Sequence, residues 1–161
     1  MSLQAETPSG LNHLVLNVRD LDRAHAFWTE YLGFRHVGTF EGANGARMRF
    51  YSGEQDGKLR HHDIALFEKL SMPQDLRGSP QVFNHVAITY PSRISWQRQI
   101  RFLQQKGVVI TNQVARGATH SVDLFDPDGN EIELVYEHPR AEWEGDINAA
   151  INRAVPEPVG S

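Results

Sequence analysis

The sequence predicts an α+β protein made of two similar halves, each with the element order strand, helix, strand, strand, strand. The first observation is a repeated string, since residues 11–16 and 83–88 both read apolar-Asn-His followed by apolar residues. The second is a pattern of apolar residues at helical spacing after each string, which ends at Gly33 in one half and Gly107 in the other. A repeat of this kind indicates paired βαβββ modules.

In the first half, the predicted strand at residues 11–18 leads into a helix for which Asp20 is the expected N-cap. Three further strands are predicted there, at residues 34–40, 46–51 and 60–67. In the second half, a strand at residues 82–90 precedes a helix that begins near Ile94 and ends at residues 106–107. Three strands complete this half, at residues 108–114, 120–125 and 131–136, with a turn at residues 126–130.

These elements predict a division of the chain into five segments. They are a polar lead-in at residues 1–10, a first βαβββ module at 11–67, a connector at 68–81, a second βαβββ module at 82–137 and a tail at 138–161. The connector contains two prolines and a glycine, which favour a loop. The pattern of residues 140–155 in the tail is compatible with a helix.

Composition narrows the possible functions. The chain has 161 residues, no cysteine and a formal net charge of −4, so thiolate metal sites, disulfides and cysteine nucleophiles are excluded. The slight excess of acidic residues disfavours binding to nucleic acid or to an anionic membrane. No apolar run approaches the roughly 20 residues needed to cross a bilayer, and no signal peptide is visible, so we expect a cytoplasmic location.

The repeat also predicts a metal site. His13 and His85 occupy matching positions at the start of each half, and Glu133 lies on the same face of its strand as Val135. At the position that matches Glu133, the first half has Ala65. Two histidines and one carboxylate with open coordination positions are typical of non-haem Fe(II) oxygenases. We therefore predict that His13, His85 and Glu133 bind Fe(II), with Mn(II), Ni(II) or Zn(II) as alternatives.

Two simpler interpretations remain open for these residues. A histidine within an apolar strand is often a hydrogen-bonded core residue rather than a ligand. Glu133 could equally be a solvent-facing residue beside the turn at residues 126–130. The matched positions of the two histidines favour the metal site, because a metal requires this convergence and a hydrophobic core does not.

These strings resemble the vicinal-oxygen-chelate superfamily of glyoxalases, bleomycin-resistance proteins and extradiol dioxygenases, whose fold is built from paired βαβββ modules around a metal cleft. The resemblance covers residues 10–140 and is carried by four stretches: residues 11–24, 27–34, 83–87 and 125–134. It identifies the superfamily rather than one activity, since members of a shared fold perform different reactions.

Within this superfamily, residues 60–66 (Arg-His-His-Asp-Ile-Ala-Leu) resemble a stretch of the type I extradiol dioxygenases, which cleave catechol rings with Fe(II) and O₂. The resemblance implies that His13, His85 and Glu133 are the metal ligands and that His62 is an acid/base histidine. It also implies a small aromatic substrate, O₂ as co-substrate and a homodimer. Glyoxalase I is similar, but it has a glutamate ligand where this chain has Ala65.

One position departs from the extradiol pattern. These enzymes carry a tyrosine near the metal on the third strand of the second module, and the best match in this chain is Asp123. His120 lies close to the place of another active-site histidine. We assign His62, His120 and Asp123 as candidate catalytic residues. The alternatives are a metal-dependent isomerase, epimerase or thiol transferase, and a non-catalytic protein that binds or sequesters a small molecule.

Overall fold

The structure is a computed structural model, which describes residues 11–73, Arg77 and residues 83–156. The chain divides into two compact units, residues 1–74 and 75–161, and the division falls within the predicted connector. The predicted lead-in at residues 1–10 lies outside the described residues, as do most of residues 74–82 and residues 157–161 of the tail.

The first unit contains a mixed four-stranded sheet. Its elements are β1 (Leu14–Val18), α1 (Leu21–Ala26), a π-helical turn (Phe27–Tyr31), β2 (Arg35–Glu41), β3 (Arg47–Ser52), a short hairpin of β4 (Glu54–Gln55) and β5 (Lys58–Leu59), and β6 (Ile64–Glu68). The strand order is β1-β6-β3-β2, in which β1 runs parallel to β6 and the other neighbours are antiparallel.

The second unit repeats this order and adds three short elements. It consists of β7 (Val86–Thr89), α2 (Arg93–Gln105), β8 (Asn112–Arg116), β9 (Thr119–Phe125), β10 (Glu131–Glu137), a 3₁₀ turn (Arg140–Glu142), α3 (Ile147–Asn152) and β11 (Ala154–Pro156). The sheet order is β11-β8-β9-β10-β7, with β7 parallel to β10. The α+β prediction with two βαβββ modules is thus confirmed.

The predicted helix of the first half is confirmed at its start and modified at its end. The Asp20 carboxylate caps α1 by accepting hydrogen bonds from the backbone N–H groups of Asp22 and Arg23, at 3.0 and 2.9 Å. The helix then widens into the π-helical turn, in which Leu32 N–H donates to the Phe27 carbonyl at 3.1 Å. Gly33 ends the segment with a φ of +80°, a conformation that glycine adopts without strain.

Other differences concern strand ends and the tail. Strands β1 and β7 begin later than predicted, so His13 and His85 lie immediately before them. The hairpin of β4 and β5 occupies the region between the strands at residues 46–51 and 60–67, where a loop was expected. The tail forms three short elements rather than one helix, since Asp146 caps a separate helix by accepting from Ala149 N–H at 2.9 Å.

Strand register supports the proposed repeat residue by residue. In the first unit, Val15, two residues after His13, pairs with Ala65. In the second unit, Ala87, two residues after His85, pairs with Glu133. Ala65 and Glu133 therefore occupy equivalent places relative to their histidines.

In each unit, the helix packs against one face of the sheet. In the second unit, Val122, Leu124, Ile132 and Leu134 are buried on the face toward α2, where Trp96 Nε1–H donates to the Leu134 carbonyl at 2.9 Å. The opposite face of this sheet carries Asp123 and Glu133, since side chains alternate along a strand. Among the described residues, no helix has the length and apolar character needed to cross a membrane.

Candidate functional site

Both histidines of the repeat make the same local hydrogen bond. His13 Nδ1–H donates to the Asn12 side-chain oxygen at 2.7 Å, and His85 Nδ1–H donates to the Asn84 side-chain oxygen at 2.6 Å. Because an amide oxygen only accepts, this bond places the proton on Nδ1 and leaves the lone pair on Nε2. Fixing the tautomer through the second ring nitrogen is the usual way in which proteins prepare a histidine for metal binding.

The structure brings His85 and Glu133 together in the second unit. His85 Nε2 lies 3.3 Å from Glu133 Oε2, and the Glu133 side chain is only 17% exposed. With the proton on Nδ1, these two atoms are both electron-pair donors, and a cation shared between them removes their repulsion. Two atoms that bind one metal ion at about 2.1 Å lie roughly 3.0–3.4 Å apart. The pair therefore fits a divalent metal, although an additional proton on His85 would also satisfy it.

Asp123 lies directly opposite Glu133 in the pairing of β9 with β10, so both side chains are on the same face of the sheet. The Asp123 carboxylate accepts a hydrogen bond from the side-chain amide of Asn112 at 2.9 Å. The structure thus places Asp123 beside the predicted metal ligand, with a fixed orientation and the chemistry of an anion rather than that of a phenol.

In the first unit, His13 packs against His62. Their ring centroids are 4.4 Å apart, and His62 also contacts the rings of Phe50 at 5.0 Å and His61 at 4.5 Å. The Nδ1 atoms of His61 and His62 are 2.7 Å apart, so one of them donates to the other. Partial burial lowers the pKa of His62, and the neighbouring His13 and His61 lower it further.

His120 lies on the other face of the second sheet. Strand alternation places it with Val122 and Leu124, away from Asp123 and Glu133. Its ring is 6.0 Å from the Trp96 ring of α2 and stacks on His138 at 5.0 Å. The structure therefore does not bring His120 to the Glu133 side of the sheet, and it offers no support for a catalytic role.

The available donors are imidazole nitrogens and carboxylate oxygens, which suit Fe(II), Mn(II), Ni(II) or Zn(II). Among the described residues of the chain, no group of three or more His, Asp or Glu side chains is placed to hold a metal ion. His85 and Glu133 lie together in the second unit, and in the first unit His13 has the same tautomer as His85.

A family model, described as the Glyoxalase/Bleomycin resistance protein/Dioxygenase superfamily, matches residues 10–134. The chain belongs to this superfamily. No curated protein matches the sequence. The resemblance inferred from the sequence is therefore confirmed at the level of the superfamily, while the extradiol subtype is not.

Solved structures with the same fold come from proteins with different names. A glyoxalase/bleomycin resistance protein/dioxygenase domain from Frankia sp. EAN1pec has 21% identity and a TM-score of 0.66, with 82% of this chain and 100% of that chain covered. The fosfomycin resistance protein FosX from Listeria monocytogenes has 20% identity and a TM-score of 0.59, with 84% and 99% covered.

A third solved structure, of lactoylglutathione lyase from Agrobacterium tumefaciens, has 19% identity and a TM-score of 0.58 over 81% of this chain and 96% of that chain. One FosX structure contains Mn(II) and a dihydroxypropylphosphonic acid. At these identities the matches establish the fold of this chain and leave its reaction open.

Two features of the site were not identified from the sequence. The asparagines of the repeated string were recognised as part of the repeat, but their bond to the histidine Nδ1 requires the side-chain geometry. Arg116 was not identified either, although its Nη1 atom lies 3.5 Å from Glu133 Oε1. Its placement depends on the register between β8 and β9, which the sequence does not show directly.

Proposed function

We propose that this protein is a metal-dependent oxygenase of the extradiol type, which cleaves a catecholic ring with O₂. In this proposal His13, His85 and Glu133 hold the metal, with Fe(II) as the first candidate. The observation that carries the metal site is the 3.3 Å approach of His85 Nε2 to Glu133 Oε2, with His85 Nδ1 already engaged by Asn84. The expected homodimer and cytoplasmic location remain predictions.

When bound, the metal would act as a Lewis acid toward the two adjacent oxygens of the substrate. The chain's own contribution would come from His62, whose ring lies against that of His13 and therefore beside a ligand position. A histidine there can accept a proton from a substrate hydroxyl and return it at a later step. Phe50, in contact with His62, supplies apolar surface to that side of the first unit.

A second candidate is a metal-dependent isomerase, epimerase or thiol transferase that uses the same ligands. Asp123 favours this class, because it stands opposite Glu133 where the extradiol pattern has a tyrosine. A carboxylate held by Asn112 can take a proton from a carbon next to a carbonyl, whereas it cannot donate the hydrogen bond of a phenol while ionised. Such an enzyme would consume no oxygen.

Metal content is the first test. Protein purified without oxygen is loaded with Fe(II), Mn(II), Ni(II) or Zn(II), and its affinity for each ion is measured by competition with a chelator. We expect one tightly bound ion per chain, and we expect His85→Ala to lose it. Unchanged metal affinity in His85→Ala would reject the site.

Oxygen consumption then separates the two candidate classes. The Fe(II)-loaded protein is mixed with a panel of catechols in an oxygen electrode, and the absorbance of a yellow ring-cleavage product is followed. The dioxygenase proposal expects oxygen uptake that is lost in His62→Ala while iron remains bound. Iron-loaded protein that takes up no oxygen with any catechol would favour the isomerase or transferase class.

A further inference from the structure

Arg116 ends strand β8 on the face of the second sheet that carries Glu133. Its Nη1 atom donates a hydrogen bond to the Ser121 hydroxyl at 3.2 Å and lies 3.5 Å from Glu133 Oε1. The side chain is 37% exposed, so the guanidinium is held against the sheet and still reachable from solvent.

Glu133 therefore presents its two oxygens to two different groups. Oε2 faces His85, while Oε1 faces Arg116. If Glu133 coordinates a metal, part of its negative charge is committed to that ion, and the attraction available to Arg116 decreases. The guanidinium, which is 37% exposed, is then able to pair with a new anion that approaches from solvent.

Asp123, another carboxylate on this face, is held by a different partner. Asp123 accepts a hydrogen bond from Asn112, and the contact that orients Arg116 is with the neutral Ser121 hydroxyl. The planar fork of a guanidinium matches the oxygens of a carboxylate or a phosphonate, which it binds through paired charge-assisted hydrogen bonds.

We propose that Arg116 recognises an anionic group on the substrate, so that the natural substrate combines a pair of metal-chelating oxygens with a carboxylate or phosphonate. This inference rests on the proposed function, since it assumes a substrate bound at the His85 and Glu133 site. It makes Arg116 a specificity-determining residue and sets an acidic substrate apart from an uncharged catechol.

The test compares catechol with catechols that carry an anionic substituent. Zn(II)-loaded protein, in which no oxidation can occur, is titrated in a calorimeter with catechol, 2,3- and 3,4-dihydroxybenzoate and 3,4-dihydroxyphenylphosphonate. We expect at least one of the anions to bind about tenfold or more tightly than catechol. The carboxylate and phosphonate arms show which anion the site prefers.

The same titrations are repeated with Arg116→Gln and with Arg101→Gln, a control that removes an exposed arginine of α2. The preference for the anion over catechol should disappear in Arg116→Gln and should persist in Arg101→Gln. Arg116→Lys, which keeps the charge but not the fork, should retain part of the preference.

The outcomes separate this inference from the function on which it rests. Equal affinity for anions and catechol in the native protein, or an anion preference that survives Arg116→Gln, overturns the role of Arg116 and leaves the metal site intact. If the native protein binds Zn(II) but neither catechol nor the anions, the catecholic substrate class and this inference both fail. Failure to bind any metal rejects the proposed function itself.

Discussion

The two units share one architecture and one way of preparing a histidine, but they differ at the residue that faces it. Both place an Asn-His pair before the first strand and use the asparagine oxygen to fix the imidazole. In the second unit, the strand residue two positions after the histidine pairs with Glu133. In the first unit, the corresponding residue pairs with Ala65. The repeat thus conserves the histidine position and varies the carboxylate.

The difference extends to the neighbours of each histidine. In the second unit, the carboxylate that faces the histidine belongs to Glu133, and its neighbours are charged. Arg116 and Asp123 lie on the same face of the sheet as Glu133. In the first unit the neighbours are rings, since His13 contacts His62 and Phe50 lies behind it. One module therefore has a carboxylate and a guanidinium near its histidine, and the other has a second histidine and apolar surface.

The largest expected effect comes from removing the carboxylate that distinguishes the units. Glu133→Ala should weaken binding of Fe(II) or Mn(II) by about 100-fold or more, since loss of an outer-shell partner alone costs about 10–100-fold. Metal affinity is measured by chelator competition in anaerobic buffer. Glu137→Ala, an exposed change on the same face of the same strand, serves as the control and should bind metal normally.

If Glu133→Ala retains the metal, the ion is not held by the second unit in the proposed way. The His85 and Glu133 contact would then be an ordinary ion pair of a protonated histidine. In that case His85→Ala and Glu133→Ala should both lower stability without a change in metal affinity.

The second prediction concerns a variant that gives the first unit the carboxylate that it lacks. Ala65→Glu places a carboxylate at the equivalent position of the first unit, where Ala65 is 0% exposed while the Glu133 side chain is 17% exposed. Burying this charge should lower the free energy of unfolding of the metal-free protein by about 2–4 kcal/mol. Thermal or denaturant unfolding measures the loss.

Added divalent metal should restore part of this stability in Ala65→Glu, because the new carboxylate faces His13 as Glu133 faces His85. Ala65→Gln has nearly the same volume and is a poor ligand, so it should be destabilised without being rescued. Equal metal rescue of both variants would show that the two units are not equivalent at this position.

The third prediction concerns the feature that the units share. Asn84→Ala and Asn12→Ala each free the histidine Nδ1 and allow the imidazole to rotate or change tautomer. Each should weaken metal binding by about tenfold. Asn112→Ala, which frees Asp123 rather than a histidine, provides the control and should leave metal affinity nearly unchanged.

A large effect of Asn84→Ala with none for Asn12→Ala would show that the two histidines are not equivalent in metal binding. It would mean that the second unit alone binds the ion and that the matching bond at His13 has a structural role only. The double variant is informative as well, because independent effects on one ion should add in free energy.

Much of the fold follows from local chemistry that the sequence displays. The Asp20 cap, the Gly33 ending and the turn at residues 126–130 are all present, because each depends on a side chain or glycine acting over a few residues. The face of Glu133 was also correctly derived from strand alternation. The π-helical turn was not expected, since it shares the apolar pattern of an α-helix. The hairpin of β4 and β5 was not expected either, although its Asp56-Gly57 turn, with φ of 51° and 72°, is a local hairpin signal.

Part of the candidate site could also be predicted from local sequence pattern, here the alternation of side chains along a strand. Parity along a single strand could already have excluded His120 from the face of Asp123, because three positions separate them. Arg116 required more, namely the pairing of β8 with β9, in which Ala115 stands opposite His120. Register between strands depends on turn geometry and on distant contacts, so a residue that reaches the site across a hairpin is hidden in the sequence.

The smallest effect is a pH dependence of stability confined to the first unit. His25 Nδ1 lies 3.0 Å from the Tyr51 hydroxyl, and its ring is 5.3 Å from that of His36. Burial lowers the pKa of His25 below its usual 6.5, and the positive charge of Arg49 and the nearby His36 lower it further. Asp22 and Glu30 act in the opposite direction.

Because the folded pKa is depressed, the unfolded chain binds more protons than the native protein as the pH falls below 6.5. The stability associated with neutral His25 is therefore present above that pH and is lost as the pH falls through the folded pKa. Denaturant unfolding of His25→Asn from about pH 7.5 to about pH 5 should show a shallower loss than the native protein. His138→Asn, in the second unit, is the matched control. If His25→Asn and the native protein show parallel curves, the sensitivity belongs to other histidines, and the cluster around Tyr51 tolerates the charged ring.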